Sequence, residues 1–353
     1  MMRGVVYRGP GKIEVDTGLD LPRVRHDRDA VVRVTRTAIC GTDLHPYRGE
    51  MPGFRAGTVL GHEFTGVVTE TGSGVPFAVG RRVVVSDIVA CGRCDRCLRG
   101  RHYHCPDSTL FGYDTVAGAA LPGGQADYVR VPFADVVLSP SPDDLTDDQL
   151  LFVGDILSTA YIGAESAGIT PGDVVGVVGA GPVGLLAAQC ARVFGAARVV
   201  VTDTDARRRA KTAELGFDAV EPEGFGPALG AGSDRGAAAV IEAVGSPSAL
   251  TRALTSIGYG GTVVAVGSHG STAVPLDAKD AFAREATLRF AVGNPIRVRD
   301  RVIALLRAGL LDPAPLVSHR LPLSDAARAY RLFDERKALK VVLSPGEDRA
   351  ADG

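Results

Sequence analysis

The sequence lacks the features on which several classes of protein depend. Its net charge is close to zero, with 39 Lys and Arg against 41 Asp and Glu, so it carries no basic footprint for nucleic acid. Six cysteines in 353 residues are too few for a disulfide scaffold. Hydrophobic residues make up 45% of the chain and charged residues only 23%, which excludes intrinsic disorder. We therefore expect a globular chain, and its length favours two domains.

Uninterrupted hydrophobic runs are also missing. Residues 174–191 and 253–276 are uncharged and approach the roughly 20 residues of a membrane helix, but repeated glycines and a proline break both runs. We interpret them as buried segments of an α/β fold, and we expect no membrane partner. The first residues lack the apolar core of a secretory signal, since Arg8 already follows Tyr7. These observations predict a cytoplasmic protein.

Two patterns of secondary structure divide the chain. The first 150 residues contain short β-branched stretches separated by Gly, Pro and Asp, which predict an antiparallel, β-rich domain. From about residue 170, hydrophobic strands such as 173–178 and 198–202 alternate with helical segments. This alternation is typical of a parallel, doubly wound sheet.

A glycine-rich turn follows the first of these hydrophobic strands and opens a helix. Its glycines would let the backbone approach a pyrophosphate at the helix N-terminus. Asp203 ends the next strand, where an acid accepts hydrogen bonds from the adenosine ribose and repels a 2′-phosphate. The order of these elements predicts a dinucleotide site that favours NAD, while the arginines at 207–209, Arg208 among them, keep NADP open. The alternative is a glycine-rich turn without a ligand. The turn comprises Gly179, Gly181, Pro182, Val183 and Gly184.

Four of the six cysteines are crowded into one short segment, with the pattern C-x2-C-x2-C-x7-C. Four thiolates in one loop are typical of a closed, tetrahedral structural zinc site. The alternatives are an iron–sulfur cluster, or a site in which His102 or His104 replaces one thiolate. We therefore predict a metal that ties down this lobe and does not itself catalyse. The four residues are Cys91, Cys94, Cys97 and Cys105.

A second metal site is suggested by residues that are far apart in the chain. Cys40 precedes Gly-Thr-Asp, and His62 with Glu63 follows Gly61, so that a thiol and an imidazole stand at turn-rich strand ends. Zinc with three protein ligands and an open position can activate an alcohol or polarise a carbonyl. A buried cysteine and a core histidine are each commonplace, so the residues by themselves leave both interpretations open.

Taken together, these elements resemble the zinc-dependent alcohol dehydrogenases of the medium-chain dehydrogenase/reductase superfamily. The resemblance covers essentially the whole chain, and five motifs occur in the order found in the family. They are the segments 40–43, 61–66, 91–105 and 179–184 with Asp203, and the closing Leu-Lys-Val-Val at 339–342.

The resemblance implies a two-domain α/β chain. A GroES-like, β-rich catalytic domain is expected at residues 1–156 and 293–353, with the structural zinc lobe at about 91–105. A doubly wound Rossmann domain that binds NAD is expected at 157–292. The implied reaction transfers a hydride between a small-molecule alcohol and NAD, giving an aldehyde or ketone. Two Zn2+ ions per chain, one catalytic and one structural, and a homodimer or homotetramer are implied as well.

The resemblance also assigns the catalytic zinc its ligands. Cys40 and His62 match two ligands of the family's metal, and Asp155 stands where the third ligand is expected. Asp155 has an alternative role as a helix N-cap. Glu63 matches the carboxylate that lies close to the metal in the family.

Four further positions match residues with roles in the family's reaction. Thr42 matches the hydroxyl residue that binds the substrate oxygen, and His45 matches the histidine that passes the proton toward solvent. Thr159 falls where a threonine packs beside the nicotinamide, and Lys340 falls where a basic residue reaches the pyrophosphate. The alternative for His45 is an ordinary surface histidine.

One position departs from the family pattern. Four residues before the first structural cysteine many relatives carry an aromatic residue that lines the substrate pocket, whereas this chain has Asp87. The hypothesis is that Asp87 makes the pocket polar and suits a hydroxyl-rich or amine-bearing substrate. The alternative is that Asp87 faces solvent.

Two other functions remain open at this point. One is an NADPH-dependent biosynthetic carbonyl reductase of the same family. The other is a non-catalytic protein that binds NAD and zinc, which would hold one zinc per chain rather than two.

Overall fold

Strand-rich sequence near both ends of the chain, and alternating strands and helices in its middle, form two compact units. The computed structural model describes residues 1–116, 118–231, 236–270, 273–274 and 276–346. The first unit comprises Met1–Asp155, Asn294–Arg307 and Asp312–Gly353, and the second comprises Ile156–Gly293 and Ala308–Leu311. Each unit has its own sheet.

The elements follow one another along the chain in three groups. Through residue 155 these are strands β1 (Met2–Gly9), β2 (Lys12–Leu19), β3 (Ala30–Ala38), β4 (Glu63–Thr71), β5 (Arg82–Val85), β6 (Ile88–Val89), β7 (Thr109–Leu110), β8 (Tyr128–Val131) and β9 (Leu138–Pro140), with helices α1 (Gly41–Tyr47), α2 (Asp95–Leu98), α3 (Ala134–Val137) and α4 (Asp147–Leu150) and 3-10 turns at His102–His104 and Leu151–Gly154. The middle group comprises helices α5 (Ile156–Ser166), α6 (Pro182–Val193), α7 (Ala206–Glu214), α8 (Pro222–Leu229), α9 (Pro247–Ser256) and α10 (Ala278–Ala283) with strands β10 (Val174–Val178), β11 (Arg198–Thr202), β12 (Asp218–Val220), β13 (Ala237–Glu242), β14 (Ile257–Ala265) and β15 (Thr287–Phe290). The last group comprises α11 (Pro295–Arg307), β16 (His319–Pro322), α12 (Ala326–Asp334) and β17 (Val341–Ser344), with 3-10 turns at Ala314–Leu316 and Leu323–Asp325.

The main sheet of the first unit is antiparallel except for one pair. Its strand order is β16-β17-β3-β4-β5-β9, β8 also pairs with β3, and only β16 and β17 run parallel within it. Val32 and Val34 of β3 pack with Val68 of β4 and with Phe111 in a buried cluster. The β-branched stretches of the sequence therefore form the interior of this sheet, and the β-rich part of the predicted fold class is confirmed.

The sheet of the second unit is parallel throughout its described pairs. Its strand order is β12-β11-β10-β13-β14-β15. The order reverses between β10 and β13, and α/β sheets bind ligands at the carboxyl ends of strands beside such a reversal. The doubly wound part of the predicted fold class is confirmed.

The glycine-rich turn lies at the carboxyl end of β10. Gly179 has a φ of +99°, a conformation that favours glycine, and Gly181 is the residue before helix α6. A Cβ on Gly184 would collide with the carbonyl oxygen of Gly179. The turn and the first turn of α6 can pack this closely only because these positions carry no side chain.

The lengths and polarity of the helices answer the question about membrane spans. Across the parts of the chain that the structure describes, none of the helices is both long enough and apolar enough to cross a bilayer. Within the described residues, the two uncharged runs contribute to β10 and α6 and to α9 and β14 of the second unit.

Candidate active site, metal centres and cofactor site

The residues expected to hold a catalytic metal come together in the first unit. One donor atom from each of Cys40, His62, Glu63 and Asp155 lies within 4.8 Å of all the others. Cys40 immediately precedes α1, His62 and Glu63 stand at the start of β4, and Asp155 follows the 3-10 turn at Leu151–Gly154. Three segments that are far apart in sequence thus place a thiol, an imidazole and two carboxylates at one point, which we call the catalytic cluster.

The catalytic cluster is buried and its charges interact strongly. Asp155 Oδ2 lies 3.3 Å from His62 Nε2 and 3.6 Å from Cys40 Sγ. Burial, followed by the carboxylates of Asp155 and Glu63, raises the pKa of the Cys40 thiol to about 11. Burial opposes protonation of His62, but Asp43 and Asp155 outweigh it and raise the pKa of His62 well above its ordinary value. A cation at this point would neutralise the negative charge that protons must otherwise balance.

The donor set fits zinc. Thiolate, imidazole and carboxylate are the ligands that zinc takes in proteins, and catalytic sites use three of them. His62 turns Nε2 toward the cluster, and its Nδ1 lies 3.4 Å from Asp43 Oδ1. Neither Nδ1 nor that oxygen has a hydrogen bond within the described residues. A metal on Nε2 would fix the proton on Nδ1, where it can bond to Asp43, as is usual for metal-binding histidines.

Glu63 is held by a lysine rather than left facing the cluster alone. Lys340 Nζ lies 2.7 Å from Glu63 Oε1 and 2.6 Å from Oε2, and the two side chains are 1% and 0% exposed. Burial opposes the charge on Lys340, but the Glu63 carboxylate outweighs it and raises the pKa of Lys340. In this structure the Lys340 ammonium is held by Glu63, and its expected contact with a cofactor pyrophosphate stays a prediction.

Thr42 and His45 both lie on helix α1, which begins beside Cys40. Thr42 Oγ1 is 3.9 Å from Cys40 Sγ. His45 Nδ1 lies 2.6 Å from Glu50 Oε2, and the histidine side chain is 33% exposed. The structure therefore places Thr42 at the catalytic cluster and His45 at the surface of the unit, beside an acidic partner.

Asp87 is buried, so the interpretation that it faces solvent is wrong. It is 6% exposed and follows β5, where its backbone N–H donates to Gly154 O at 2.8 Å. Its Oδ1 accepts a hydrogen bond from Ile88 N at 2.7 Å. Burial, followed by the Asp155 carboxylate, raises the pKa of Asp87 well above its usual range. Burial and then Asp87 raise the pKa of Tyr103 to about 12. Asp87 thus lies within the electrostatic reach of the catalytic cluster.

The four cysteines of the predicted structural site also lie together, with their sulfur atoms within 4.8 Å of one another. Cys105 Sγ is 3.5 Å from Cys91 Sγ and 3.9 Å from Cys94 Sγ, and all six cysteines of the chain are free. A backbone hydrogen bond from Cys97 is the main cause that lowers the pKa of Cys94 to about 7. His102 lies outside this group, since its Nδ1 contacts Asn294 Oδ1 at 3.1 Å. The four thiols therefore supply the number and type of donors that a structural zinc site uses.

The predicted dinucleotide residues occupy the carboxyl edge of the second unit's sheet. Asp203 Oδ2 accepts a hydrogen bond from Ala180 N at 2.9 Å, and Oδ1 accepts one from Asp205 N at 2.8 Å. The carboxylate thus joins the glycine-rich turn to the end of β11. Arg208 Nη1 lies 3.6 Å from Asp203 Oδ2, whereas Arg207 is paired with Asp205. An acid and one arginine therefore share the position that the sequence predicts to distinguish NAD from NADP.

Thr159 belongs to helix α5 of the same unit. A Cβ on Gly293 would collide with the Thr159 hydroxyl, so the backbone at Gly293 packs directly against that side chain.

A buried pair in the second unit was not predicted from the sequence. Glu242 ends β13 with 0% exposure, and its Oε1 accepts hydrogen bonds from the N–H groups of Val244 and Gly245, both at 2.8 Å. His269 Nε2 lies 3.0 Å from Glu242 Oε2, and the imidazole packs edge-on against Phe290. The pair ties together the ends of β13, β14 and β15 beside the glycine-rich turn. An acid at the end of a central strand was the only signal in the sequence.

The folds of the two units and the donor clusters are those of a zinc-type dehydrogenase. Comparison with known proteins identifies the family. The family described as the alcohol dehydrogenase GroES-like domain matches residues 26–141, and the zinc-binding dehydrogenase family matches residues 182–308. A zinc-type alcohol dehydrogenase B of Aspergillus flavus is 35% identical over 98% of this chain and 82% of its own length. The chain therefore belongs to the zinc-dependent alcohol dehydrogenase family of the medium-chain dehydrogenase/reductase superfamily, and it is an oxidoreductase of the alcohol dehydrogenase type.

Solved structures agree with this assignment. An alcohol dehydrogenase from Thermus sp. ATN1 is 38% identical and superposes with a TM-score of 0.91, covering 97% of this chain and 99% of that one. A zinc-binding dehydrogenase from Sinorhizobium meliloti 1021 bound to NADP is 29% identical, with a TM-score of 0.84 over 98% of this chain and 99% of that one. An alcohol dehydrogenase from Escherichia coli CFT073 in complex with NADH is 27% identical, with a TM-score of 0.85 and the same coverage. Similar folds thus accept both nicotinamide cofactors.

Proposed function

We propose that this chain is an NAD-dependent zinc alcohol dehydrogenase that interconverts a polar alcohol and its aldehyde or ketone. The observation that carries the proposal is the catalytic cluster of Cys40, His62, Glu63 and Asp155, with donor atoms within 4.8 Å of one another. Cys40, His62 and Asp155 would hold a catalytic zinc. When bound, zinc supplies a Lewis acid for the substrate oxygen and NAD supplies a hydride acceptor.

Two side chains on α1 are placed to handle the proton that the alcohol loses. Thr42 Oγ1, beside Cys40, would accept the proton of the substrate hydroxyl while it passes its own hydroxyl proton on toward His45. His45 would carry the proton to solvent, because its ring is partly exposed. The Glu50 carboxylate, 2.6 Å from His45 Nδ1, would orient the imidazole. In this proposal the α1 helix therefore serves as the route from the cluster to water.

Asp87 supports the proposal that the substrate is polar. Its carboxyl group is buried beside the segment that carries Asp155, where many relatives carry an aromatic residue. Burial of a carboxyl group is costly unless it gains a hydrogen bond or an opposite charge. Ile88 N already bonds to Oδ1, and a second hydroxyl or an amine on the substrate would supply a further partner. We therefore propose polyols or amino alcohols over simple aliphatic alcohols.

Asp203 supports NAD as the cofactor. A carboxylate at the end of β11 accepts ribose hydroxyls and repels the 2′-phosphate of NADP. Arg208, 3.6 Å from that carboxylate, favours the second candidate, an NADPH-dependent carbonyl reductase. The guanidinium could bind a 2′-phosphate that Asp203 by itself would reject. The ratio of activities with the two cofactors decides between these candidates.

The remaining features of the proposal concern organisation. We assign residues 1–156 and 293–353 to the catalytic domain and 157–292 to the NAD-binding domain, with the four clustered cysteines holding a structural zinc. We propose a homodimer or homotetramer, supported by edge strand β15, where Phe290 is 53% and nearby Phe282 88% exposed. A reducing cytoplasmic location is supported by six free cysteines.

One experiment tests the central proposal. Zinc would be counted by plasma emission on the purified chain, and a panel of alcohols and carbonyls would be followed by NADH absorbance. We expect two zinc ions per chain and activity that Cys40→Ser abolishes. A single zinc per chain, with no turnover above a background rate that Cys40→Ser leaves unchanged, would instead identify a non-catalytic protein that binds NAD and zinc.

A further inference from the structure

A chain of buried polar side chains extends from the catalytic cluster to helix α12. The Tyr330 hydroxyl lies 2.9 Å from Gln125 Oε1, and Gln125 Nε2 lies 3.3 Å from Asp43 Oδ2. Asp43 Oδ1 in turn lies 3.4 Å from His62 Nδ1. None of these four side chains is more than 2% exposed. Burying polar groups this deeply costs free energy unless they form hydrogen bonds with one another. The contacts among these four side chains offset that cost.

Asp43 is the junction of this chain. Its Oδ2 accepts a hydrogen bond from Cys40 N at 2.9 Å, while its other oxygen faces His62. One carboxylate therefore contacts the backbone of one proposed zinc ligand and the side chain of another. Any shift of Asp43 would move both ligands relative to Asp155, the third.

Gln125 holds Asp43 only in one orientation of its amide. Nε2 donates to Ala38 O at 3.2 Å and to Asp43 Oδ2, and both of these atoms can only accept. With the amide turned over, Oε1 would face a carbonyl oxygen and a carboxylate, and the bonds would become repulsions. The Tyr330 hydroxyl donates to Oε1 and so favours the correct orientation. Burial raises the pKa of Tyr330 well above its ordinary value, which keeps the hydroxyl protonated.

The backbone next to His62 leaves room for this glutamine. Gly61 has a φ of +98°, and a Cβ there would lie 2.8 Å from Gln125 N and closer still to its side chain. Glycine at 61 therefore permits the approach of Gln125 to the segment that carries His62. Tyr330 belongs to α12 and is 205 residues from Gln125 in sequence.

We propose that Tyr330 and Gln125 are positioning residues of the catalytic zinc site. Tyr330 fixes the amide of Gln125, Gln125 fixes Asp43, and Asp43 sets the positions of His62 and Cys40. The inference rests on the proposed function, because it assumes that zinc binds to the catalytic cluster. Neither residue would touch the metal or the substrate, and their effect would appear first in zinc affinity.

The test compares zinc affinity in matched variants of the full chain. Tyr330→Phe removes only the hydroxyl. Tyr47→Phe removes a hydroxyl from the neighbouring ring, whose centroid is 5.5 Å away in the same hydrophobic core cluster. Each protein would be dialysed against a series of zinc buffers, and bound zinc counted by plasma emission. The four-cysteine site is an internal reference, since Asp43 does not belong to it. We expect Tyr330→Phe to weaken one of the two sites about tenfold, and Tyr47→Phe to leave both sites unchanged.

A double-variant cycle separates positioning from general packing. In an Asp43→Asn background, Tyr330→Phe should weaken zinc binding no further, because the link it acts through is already altered. Gln125→Glu, which keeps the acceptor for Tyr330 and loses the donor to Asp43, should weaken the same site and serves if Tyr330→Phe does not fold. Thermal unfolding of the zinc-free proteins would report any change in packing separately.

The outcomes are distinguishable. Equal zinc affinity in the wild type and Tyr330→Phe, or an undiminished effect of Tyr330→Phe in the Asp43→Asn background, would overturn the inference while leaving the proposed function intact. A wild-type chain that binds zinc only at the four cysteines would contradict the proposed function, and the inference would fall with it.

Discussion

The ammonium of Lys340 lies 2.7 Å from Oε1 of Glu63, and the two side chains form a fully buried ion pair. Glu63 adjoins His62 in the sequence, so the lysine neutralises a carboxylate at the edge of the catalytic cluster. Phe152 lies beside the pair, with its ring 5.7 Å from the Lys340 ammonium. The surroundings exclude water, and each charge therefore depends on the other.

Removing one partner of this pair should destabilise the first unit strongly. Lys340→Met would leave Glu63 buried and unpaired, and we expect a loss of about 3–5 kcal/mol in the free energy of unfolding. The double variant Lys340→Met with Glu63→Gln should recover most of that loss, because no unpaired charge remains. Lys337→Met is the control, since Lys337 forms an exposed pair with Glu335 and should change little. Urea unfolding of the zinc-free proteins measures the free energy of unfolding of the wild type and the three variants. Equal stability of Lys340→Met and wild type would contradict the expectation.

The same pair shows where sequence reasoning stopped. Lys340 matched a family position by the local motif alone, and the motif suggested a cofactor contact. Its partner, Glu63, is 277 residues away. No spacing or periodicity connects these positions, because the contact depends on β17 and β4 pairing with the two edges of β3 in one sheet. Which charges are buried together is a property of the tertiary fold.

The four-cysteine site should be separable from the catalytic cluster by substitution. Cys97 is 4% exposed and belongs to the group of four, so Cys97→Ala should lower the zinc content from two ions per chain to one and lower the Tm. Cys190→Ala is the matched control, because Cys190 is equally buried but belongs to no donor group within the described residues. Plasma emission and thermal unfolding are the measurements. Retention of two zinc ions in Cys97→Ala would argue against the structural site.

The features that could be predicted from the sequence depend on local patterns. The cysteine spacing, the glycine-rich turn and the alternation of strands and helices are each set within a few residues, so the sequence showed the fold class directly. The chain of buried polar side chains through Asp43, Gln125 and Tyr330 could not be predicted, because it is not set within a few residues. Its members come from three separate segments, and a tyrosine on an amphipathic helix has the same pattern as any core residue.

Cofactor choice should respond to the two groups at the end of β11. Asp203→Ala should lower the preference for NAD over NADP roughly 10- to 100-fold, because it removes charged acceptors for the ribose hydroxyls and the repulsion of a 2′-phosphate. Arg208→Ala should reduce activity with NADP and leave that with NAD nearly unchanged. The ratio of kcat/KM values for the two cofactors is the measurement.

Asp203 also supports the glycine-rich turn, which calls for a second variant. Its Oδ2 accepts the hydrogen bond from Ala180 N, so Asp203→Ala removes structure as well as charge. Asp203→Asn removes the charge and keeps one acceptor oxygen, so it retains one of the two bonds from Ala180 N and Asp205 N where Asp203→Ala retains neither. If Asp203→Asn and Asp203→Ala both retain the full wild-type ratio, the carboxylate does not select the cofactor.

Substrate preference should depend on Asp87. Asp87→Asn preserves the shape of the side chain and its acceptor for Ile88 N while it removes the negative charge. We expect kcat/KM for amino alcohols to fall roughly 10- to 100-fold, the size of a lost hydrogen bond to a charged group. Simple alcohols should be turned over as before. Asp87→Phe, which places an aromatic ring at this position, should also lower kcat/KM for polyols and shift the preference to simple alcohols.

The control for Asp87 is another buried carboxylate outside the cluster. Asp114 is 4% exposed and paired with Arg55, so Asp114→Asn alters a buried acid without altering the pocket. It should change stability but leave the relative rates across the substrate panel as they are. If Asp87→Phe and Asp114→Asn both give the wild-type order of substrates, Asp87 does not determine specificity. A buried carboxyl group that bound the substrate could not be exchanged for an aromatic ring without changing that order.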